Sequence, residues 1–121
     1  MKIVKVGDVK KRDDSANPIF RGKVFMQDII GTSTKELRIA LVSFTPGARN
    51  IFHAHTFDQI LYVTEGKGII ATEKEEVIIT PGTVILIPAN EKHWHGATQD
   101  TSFTHLSIRA PSEKAKTRYP L

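Results

Sequence analysis

The sequence of 121 residues contains no cysteine. Disulfide bridges, zinc knuckles, iron–sulfur clusters and thiol nucleophiles are therefore excluded, and any bound metal must be held by nitrogen and oxygen atoms. No apolar run approaches the roughly 18 residues of a membrane-spanning helix, and the N-terminal residues lack the apolar core of a signal peptide. With 40% hydrophobic residues, the sequence predicts one cytoplasmic domain over residues 1–121 without membrane contact.

The formal net charge of +4 belongs to the two ends of the chain. Eight of the 17 basic residues, but only two of the 13 acidic residues, lie before residue 13 or after residue 111. The body between these ends carries more acidic than basic residues. Because a nucleic-acid backbone is recognised through a clustered basic surface, we expect no nucleic-acid partner.

Helical periodicity is also lacking, and the sequence after residue 36 has the features of strands. Short segments rich in Val, Ile, Thr and Phe alternate with turn signals such as Pro81-Gly82. The connections are too short for helical crossovers, which predicts an antiparallel all-β sandwich or barrel. Asn17 to Ile30 can supply one or two further strands. The six predicted strands are Leu37 to Thr45, Gln59 to Glu65, Lys67 to Thr72, Glu76 to Thr80, Thr83 to Pro88 and Thr101 to Arg109.

Two pairs of histidines carry the clearest chemical signal. His53 and His55 are two residues apart, which puts both side chains on one face of a strand, and Gln59 shares their parity. His93 and His95 repeat this spacing after a proline-containing turn. A single histidine on a strand is usually a hydrogen-bonded or exposed residue. Two such pairs in one small β domain favour a metal site, in which imidazole nitrogens converge on one ion at about 2 Å.

The segment around the first pair, residues 47–66, follows a regular arrangement. Gly47 is followed by five residues, the first histidine pair, three residues, Gln59, six residues and Gly66. This arrangement resembles the first motif of the cupin family, which has Glu at the position of Gln59. Residues 82–97 resemble the second motif, with His93 at its histidine, Asn90 replacing a glycine and Ala97 replacing an asparagine.

The resemblance implies a cupin double-stranded β-helix, or jelly-roll barrel, of antiparallel strands. It also implies that His53, His55, Gln59 and His93 hold one divalent transition metal ion inside the barrel. The glycine of the motif would adopt a left-handed backbone. Since asparagine also tolerates this conformation, we expect Asn90 to keep the turn. The four neutral ligands leave the double charge of the ion uncancelled, which favours an anionic substrate or leaving group.

More narrowly, the sequence is similar to small cupins associated with carboxymuconolactone decarboxylases, among them metal-dependent hydroxynitrile lyases that use three His and one Gln. This similarity implies manganese or iron, although zinc, nickel, copper or cobalt also suit such ligands. It implies a substrate pocket lined by Ala40 and Val42, with His105 as an acid or base beside the metal. Arg109 stands where those lyases carry a neutral amide, and an inward-facing Arg109 would favour a carboxylate. For His95 the sequence leaves two places open, directly behind the ligands or at the rim of the pocket.

Three functions follow from these expectations. The first is a metal-dependent enzyme on a small carbonyl-type or aromatic compound, most specifically a hydroxynitrile lyase-like carbon–carbon cleavage with His105 as acid or base. The alternatives are a dioxygenase acting on a small aromatic compound or alkene, and a non-enzymatic barrel that binds a metal or small ligand. We also expect a homodimer or higher homo-oligomer, with Asn17 to Ile30 as the candidate for strand exchange.

Overall fold

The chain folds into antiparallel strands joined by short turns. The computed structural model describes residues 1–111 and 116–121, so that residues 112–115 of the basic tail lie outside the described residues. A 3-10 turn, Val6–Asp8, precedes the strands. The strands are β1 Arg12–Asp13, β2 Phe20–Arg21, β3 Val24–Ile30, β4 Arg38–Phe44, β5 Arg49–Asn50, β6 Ala54–His55, β7 Gln59–Gly66, β8 Gly68–Thr72, β9 Glu76–Ile79, β10 Val84–Ile87, β11 His93–Ala97, β12 Phe103–Arg109 and β13 Thr117–Arg118.

Two main sheets make up the fold. One has six strands in the order β1-β3-β4-β12-β7-β10, the other has five in the order β2-β5-β11-β8-β9, and β13 pairs with β6 in a small third sheet. The neighbouring strands pair antiparallel, which confirms the predicted all-β class. Among the described residues, no helix is long and apolar enough to cross a membrane.

The six predicted strands are confirmed, with ends that differ by at most two residues. The stretch from Asn17 to Ile30 contains β2 and β3, which pair with β5 and β4 of the same chain. Strand β11 was not predicted. All five of its residues are buried, so its sequence lacks the alternation of apolar and polar residues that reveals a half-exposed strand.

The apolar core lies between the two main sheets. Phe44 on β4 and Phe103 on β12 are buried in it and stack with their ring centroids 5.8 Å apart. From Phe103, β12 continues to His105 and Ser107, whose side chains are buried at the same face of the strand. One strand therefore connects the apolar core with a group of buried polar side chains.

At three turns one residue has a left-handed backbone. Asn90 has a φ of 69°, which confirms the expectation that it takes the role of the motif's glycine. Gly66 has a φ of 74°, and a Cβ at this position would overlap the carbonyl oxygen of Ser102. Gly82 has a φ of 89°, but a Cβ at this position would meet no atom within 4 Å, so only the backbone favours glycine there.

We expect Gly66→Ala to destabilise the fold more than Gly82→Ala. The left-handed backbone alone costs an alanine about 1 to 2 kcal/mol. The overlap with Ser102 adds about 1 to 3 kcal/mol at position 66. Unfolding in urea measures both losses, and equal values for the two variants would contradict this account of the turn.

Candidate metal centre

A direct backbone bridge joins one histidine of each pair. The backbone N–H of His53 donates to the carbonyl of His93, and that of His93 donates to the carbonyl of His53, each at 3.0 Å. The two rings consequently lie with their centroids 4.2 Å apart, and the ring of His55 lies 4.7 Å from His53 and 5.1 Å from His93. One ring nitrogen from each of the three residues lies within 4.8 Å of the other two, so the three imidazoles can converge on one ion.

Backbone carbonyls orient two of these rings. His53 Nδ1 lies 2.7 Å from the carbonyl oxygen of Ile51, and His93 Nδ1 lies 2.8 Å from that of Glu91. Because a carbonyl oxygen can only accept, the proton is on Nδ1 in both rings and Nε2 carries the lone pair. A metal-binding histidine needs this arrangement, in which the distal ring N–H is held by an acceptor.

The third ring, His55, is oriented by a side chain. Its Nδ1 lies 2.9 Å from the hydroxyl of Thr117, which is on β13. Within the described part of the chain, the Nε2 atoms of His55 and His93 are buried without a hydrogen-bond partner. Buried acceptors without a partner are costly, and a metal ion would satisfy both of them.

Gln59 lies beside the three histidines with its carboxamide oriented by Ser107. Its Nε2 donates to the Ser107 hydroxyl at 2.9 Å, while its Oε1 is buried with no well-formed hydrogen bond to any described residue. The carboxamide is close enough to His55 to counteract part of the lowering of its pKa. The three imidazole nitrogens fit a divalent transition metal, and Gln59 stays the predicted fourth ligand.

Burial keeps the three histidines neutral. Desolvation, followed by the nearby His93, lowers the pKa of His53 to about 4. Desolvation and the neighbouring histidines lower the pKa of His55 to about 3, and desolvation also lowers the pKa of His93. All three rings are therefore unprotonated at neutral pH, which is the form that binds a metal.

A cavity of about 240 Å³ adjoins the histidines. The four residues predicted to surround a substrate, Ala40, Val42, His105 and Arg109, all line it. The register explains this, because Val42 on β4 lies directly opposite His105 on β12, and Ala40 lies opposite Ser107. Among the described residues that line the cavity there is no Asp or Glu, so no described carboxylate of the wall neutralises a bound cation.

Arg109 brings a positive charge to this cavity. Its Nη1 donates to the carbonyl of Ala110 at 2.8 Å, and its charge is one of the smaller causes of the lowered pKa of His55. The sequence did not decide whether Arg109 faces the cavity. In the structure Arg109 lies in the cavity wall.

Of the two places left open for His95, the structure has the one close to the ligands, in the cavity wall. It is buried, and its ring centroid is 5.0 Å from that of His105. Asn50 determines its tautomer. The backbone N–H of His95 donates to Asn50 Oδ1 at 2.8 Å, so Asn50 Nδ2 is the atom that lies 3.2 Å from His95 Nε2. Since this amide nitrogen donates, Nε2 accepts and neutral His95 carries its proton on Nδ1.

His105 is buried with both ring nitrogens lacking a hydrogen-bond partner among the described residues. Its ring stacks on Phe44 with the centroids 5.8 Å apart. Burial lowers the pKa of His105 to about 4, so the neutral ring can accept a proton. The resemblance to the small-cupin hydroxynitrile lyases supplied His105, and the structure places it in the cavity wall. Sequence reasoning missed Asn50 and Thr117, because neither lies at a position that a motif marks.

Residues 40–109 match the cupin domain family, which is more than half of the chain. The chain belongs to the cupin family. A cupin-like protein from Thermotoga maritima has the same fold, with a TM-score of 0.81, 28% identity and coverage of 99% of this chain and 89% of that one. This agreement confirms the jelly-roll fold predicted from the two cupin motifs.

Two curated relatives extend the comparison. This cupin is 46% identical over 71 residues to an (R)-mandelonitrile lyase of Granulicella tundricola, which covers 58% of this chain and 54% of the relative. It is 29% identical over 66 residues to an acireductone dioxygenase of Bacillus licheniformis, covering 50% of this chain and 37% of the relative. The chain thus spans about half the length, or less, of these curated relatives.

We expect this cupin to bind one divalent ion per chain and His93→Ala to abolish that binding, because a ligand nitrogen is lost. His105→Ala is the matched control, since both residues are 1% exposed but His105 lies outside the three-histidine group. Manganese at about 100 times its dissociation constant should raise the free energy of unfolding of the wild type by about 2.7 kcal/mol. Elemental analysis and thermal unfolding measure these effects, and a full equivalent of tightly bound ion in His93→Ala would contradict the ligand set.

Proposed function

We propose that this cupin is a metal-dependent lyase that cleaves the carbon–carbon bond of a small cyanohydrin, releasing cyanide and an aldehyde or ketone. The observation that carries the proposal is His105, a neutral, buried histidine without a hydrogen-bond partner among the described residues, in a cavity that adjoins three convergent imidazoles. The similarity to an (R)-mandelonitrile lyase over the cupin region supports this choice of reaction.

The proposed ligands are His53, His55, Gln59 and His93. A divalent ion, when bound there, supplies a Lewis acid that holds and polarises the cyano or hydroxyl group of the substrate. Manganese or iron is the proposed native ion. The residues keep this ion accessible, because His53, His55 and Gln59 also line the cavity.

The two remaining histidines of the cavity take different roles in the proposed reaction. His105 accepts the proton of the substrate hydroxyl as the carbonyl forms, and the electron pair of the broken bond leaves with cyanide. The cyanide then takes the proton from His105 and departs as hydrogen cyanide, which restores the neutral ring. His95 donates from Nδ1 to the substrate oxygen, because Asn50 keeps its Nε2 an acceptor.

The charges in the cavity favour an anionic leaving group. The four proposed ligands are neutral, and no acidic residue lies among the described residues of the wall. A developing cyanide charge would therefore be stabilised by an uncancelled positive field. Arg109 also lines the cavity and is the residue that would contact a carboxylate of the substrate.

We expect the manganese-loaded protein to convert mandelonitrile to benzaldehyde and His105→Ala to lower kcat about 100-fold or more, since general acid–base groups contribute at least this much. The metal content should not change. Thr104→Ala is a suitable control, because this neighbour is also buried but its hydroxyl donates to Ser43 rather than lining the cavity. Benzaldehyde absorbance follows the reaction.

Absence of turnover at full metal occupancy would contradict the lyase reaction. The second candidate is a dioxygenase, favoured by the similarity to acireductone dioxygenase and by the open cavity beside the ligands. Oxygen consumption in the presence of a small aromatic compound or alkene would separate it from the lyase, which consumes none. A metal-loaded protein inactive in both assays would leave the non-enzymatic binding function.

We also propose a homodimer. The edge strand β10 carries Val84 and Leu86, which are 63% and 62% exposed, and they pair across the sheet with Tyr62 and Ile60 of β7. These four side chains form an uncharged apolar patch at the edge of the six-stranded sheet. Such a patch is complementary to a second copy of itself about a twofold axis.

Leu86→Glu should convert a dimer of the 13.5 kDa chain into a monomer, because it places like charges opposite each other at the proposed interface. Ile78→Glu on β9 is the matched control, since Ile78 is 56% exposed but lies in the other sheet. Sedimentation equilibrium measures the mass. A dimeric Leu86→Glu variant, or a monomeric wild type, would contradict this interface.

A further inference from the structure

The three candidate ligand histidines differ in how their rings are held. His53 and His93 are oriented by carbonyl oxygens of their own segments, two residues earlier in the chain. His55 is oriented by the hydroxyl of Thr117, which lies 62 residues away. Among the described residues, this hydroxyl is therefore the one group orienting a ligand histidine that a side-chain substitution can remove.

Thr117 belongs to a C-terminal strap, residues 116–121, that runs along the segment carrying two of the ligands. Within the strap, Thr117 lies opposite His55 in the strand pairing. Two hydrogen bonds join Lys116 and Thr56. The backbone N–H of Thr56 donates to the Lys116 carbonyl at 2.9 Å, and the backbone N–H of Lys116 donates to the Thr56 hydroxyl at 2.8 Å.

The strap has little apolar packing of its own. Its residues are exposed, and its last described contact with this segment is the bond from the Leu121 N–H to the Phe52 carbonyl at 3.1 Å. A short, exposed strand of this kind is held by few interactions. Each hydrogen bond to the ligand segment therefore contributes a large share of its docking energy.

We propose that the C-terminal strap is part of the metal site, with the Thr117 hydroxyl as the acceptor that orients His55 and holds its ring proton on Nδ1. The inference rests on the metal site of the proposed function and not on the lyase reaction. Thr117 is a positioning residue, because it acts on the metal through His55. It also lines the cavity, so the docked strap forms part of the wall around the substrate.

In this proposal the hydroxyl couples metal binding to strap docking by fixing the orientation and the tautomer of the His55 ring. A threonine hydroxyl can donate or accept, so it tolerates either tautomer of His55. If it donated to Nδ1, neutral His55 would carry its proton on Nε2 and could not bind a metal with that atom. A bound ion selects the opposite tautomer, in which His55 donates to Thr117. By linkage, any gain in metal affinity from the docked strap is matched by an equal gain in strap docking from the metal.

The experiment compares three variants by their affinity for Mn²⁺, measured by competition with a chelator. Thr117→Val keeps the shape of the side chain but removes the acceptor, and we expect a 10- to 100-fold weaker affinity, as is typical when a group that orients a ligand is lost. Thr117→Ser keeps the hydroxyl and should restore tight binding. Thr56→Val is the matched control, since it removes one hydrogen bond of the strap but keeps the Thr117 hydroxyl, and its loss of affinity should be smaller than that of Thr117→Val.

A second measurement follows the strap itself. Hydrogen exchange detected by mass spectrometry should show that Mn²⁺ slows exchange of the strap in the wild type and in Thr117→Ser, but has little effect in Thr117→Val. Wild-type affinity in Thr117→Val, or equal losses in the Val and Ser variants, would overturn the proposal. If Thr117→Val does not fold, hydrogen exchange of the wild type tests the proposal. An exchange rate of the strap that Mn²⁺ does not change would show that the strap is not coupled to the site. If Thr117→Val binds Mn²⁺ more weakly but the wild type has no lyase activity, the proposed function is contradicted and the role of the strap is not.

Discussion

The backbone bridge between His53 and His93 is the contact on which the candidate site depends. It joins the two cupin motifs at the residues that carry their ligands, so neither motif can form the site alone. The left-handed turn at Asn90 supports it, because the backbone N–H of Asn90 donates to the carbonyl of His55. The chain therefore holds the imidazoles at short range before any ion binds, and the entropy of bringing them together is lost on folding rather than on binding.

This preorganisation conflicts with the stability of the metal-free protein. The bridge and the surrounding strands leave His55 Nε2, His93 Nε2 and Gln59 Oε1 buried without well-formed hydrogen bonds within the described chain. An unsatisfied buried polar group costs about 1 to 3 kcal/mol. The aromatic core offsets this cost, since Phe44 packs on Phe103 and also on the rings of His95 and His105. The same side chain thus stabilises the fold and fixes the cavity wall.

Strand periodicity and family resemblance predicted different parts of the site. Parity placed His53 and His55 together, whereas the resemblance to the hydroxynitrile lyases supplied His105, which lies in the cavity wall. Parity could not determine how far inward His95 lies, because every residue of β11 is buried. Thr117 was beyond reach for a different reason. It lies in a polar tail without periodicity, and only the tertiary pairing of β13 with β6 brings its hydroxyl to His55.

Asn50 shows how one amide can give two neighbouring histidines opposite chemistry. His95 and His105 are both buried, and their rings meet edge to face. Burial alone would make them equivalent, since it lowers the pKa of both. Because Asn50 Oδ1 is already occupied by the backbone N–H of His95, the amide can offer only a donor to the ring. His95 is thereby restricted to donating from Nδ1, whereas His105 has no such partner among the described residues and keeps a free lone pair. A donor and an acceptor side by side can bind a hydroxyl group and remove its proton. Two neutral rings without fixed tautomers would orient the hydroxyl group less selectively.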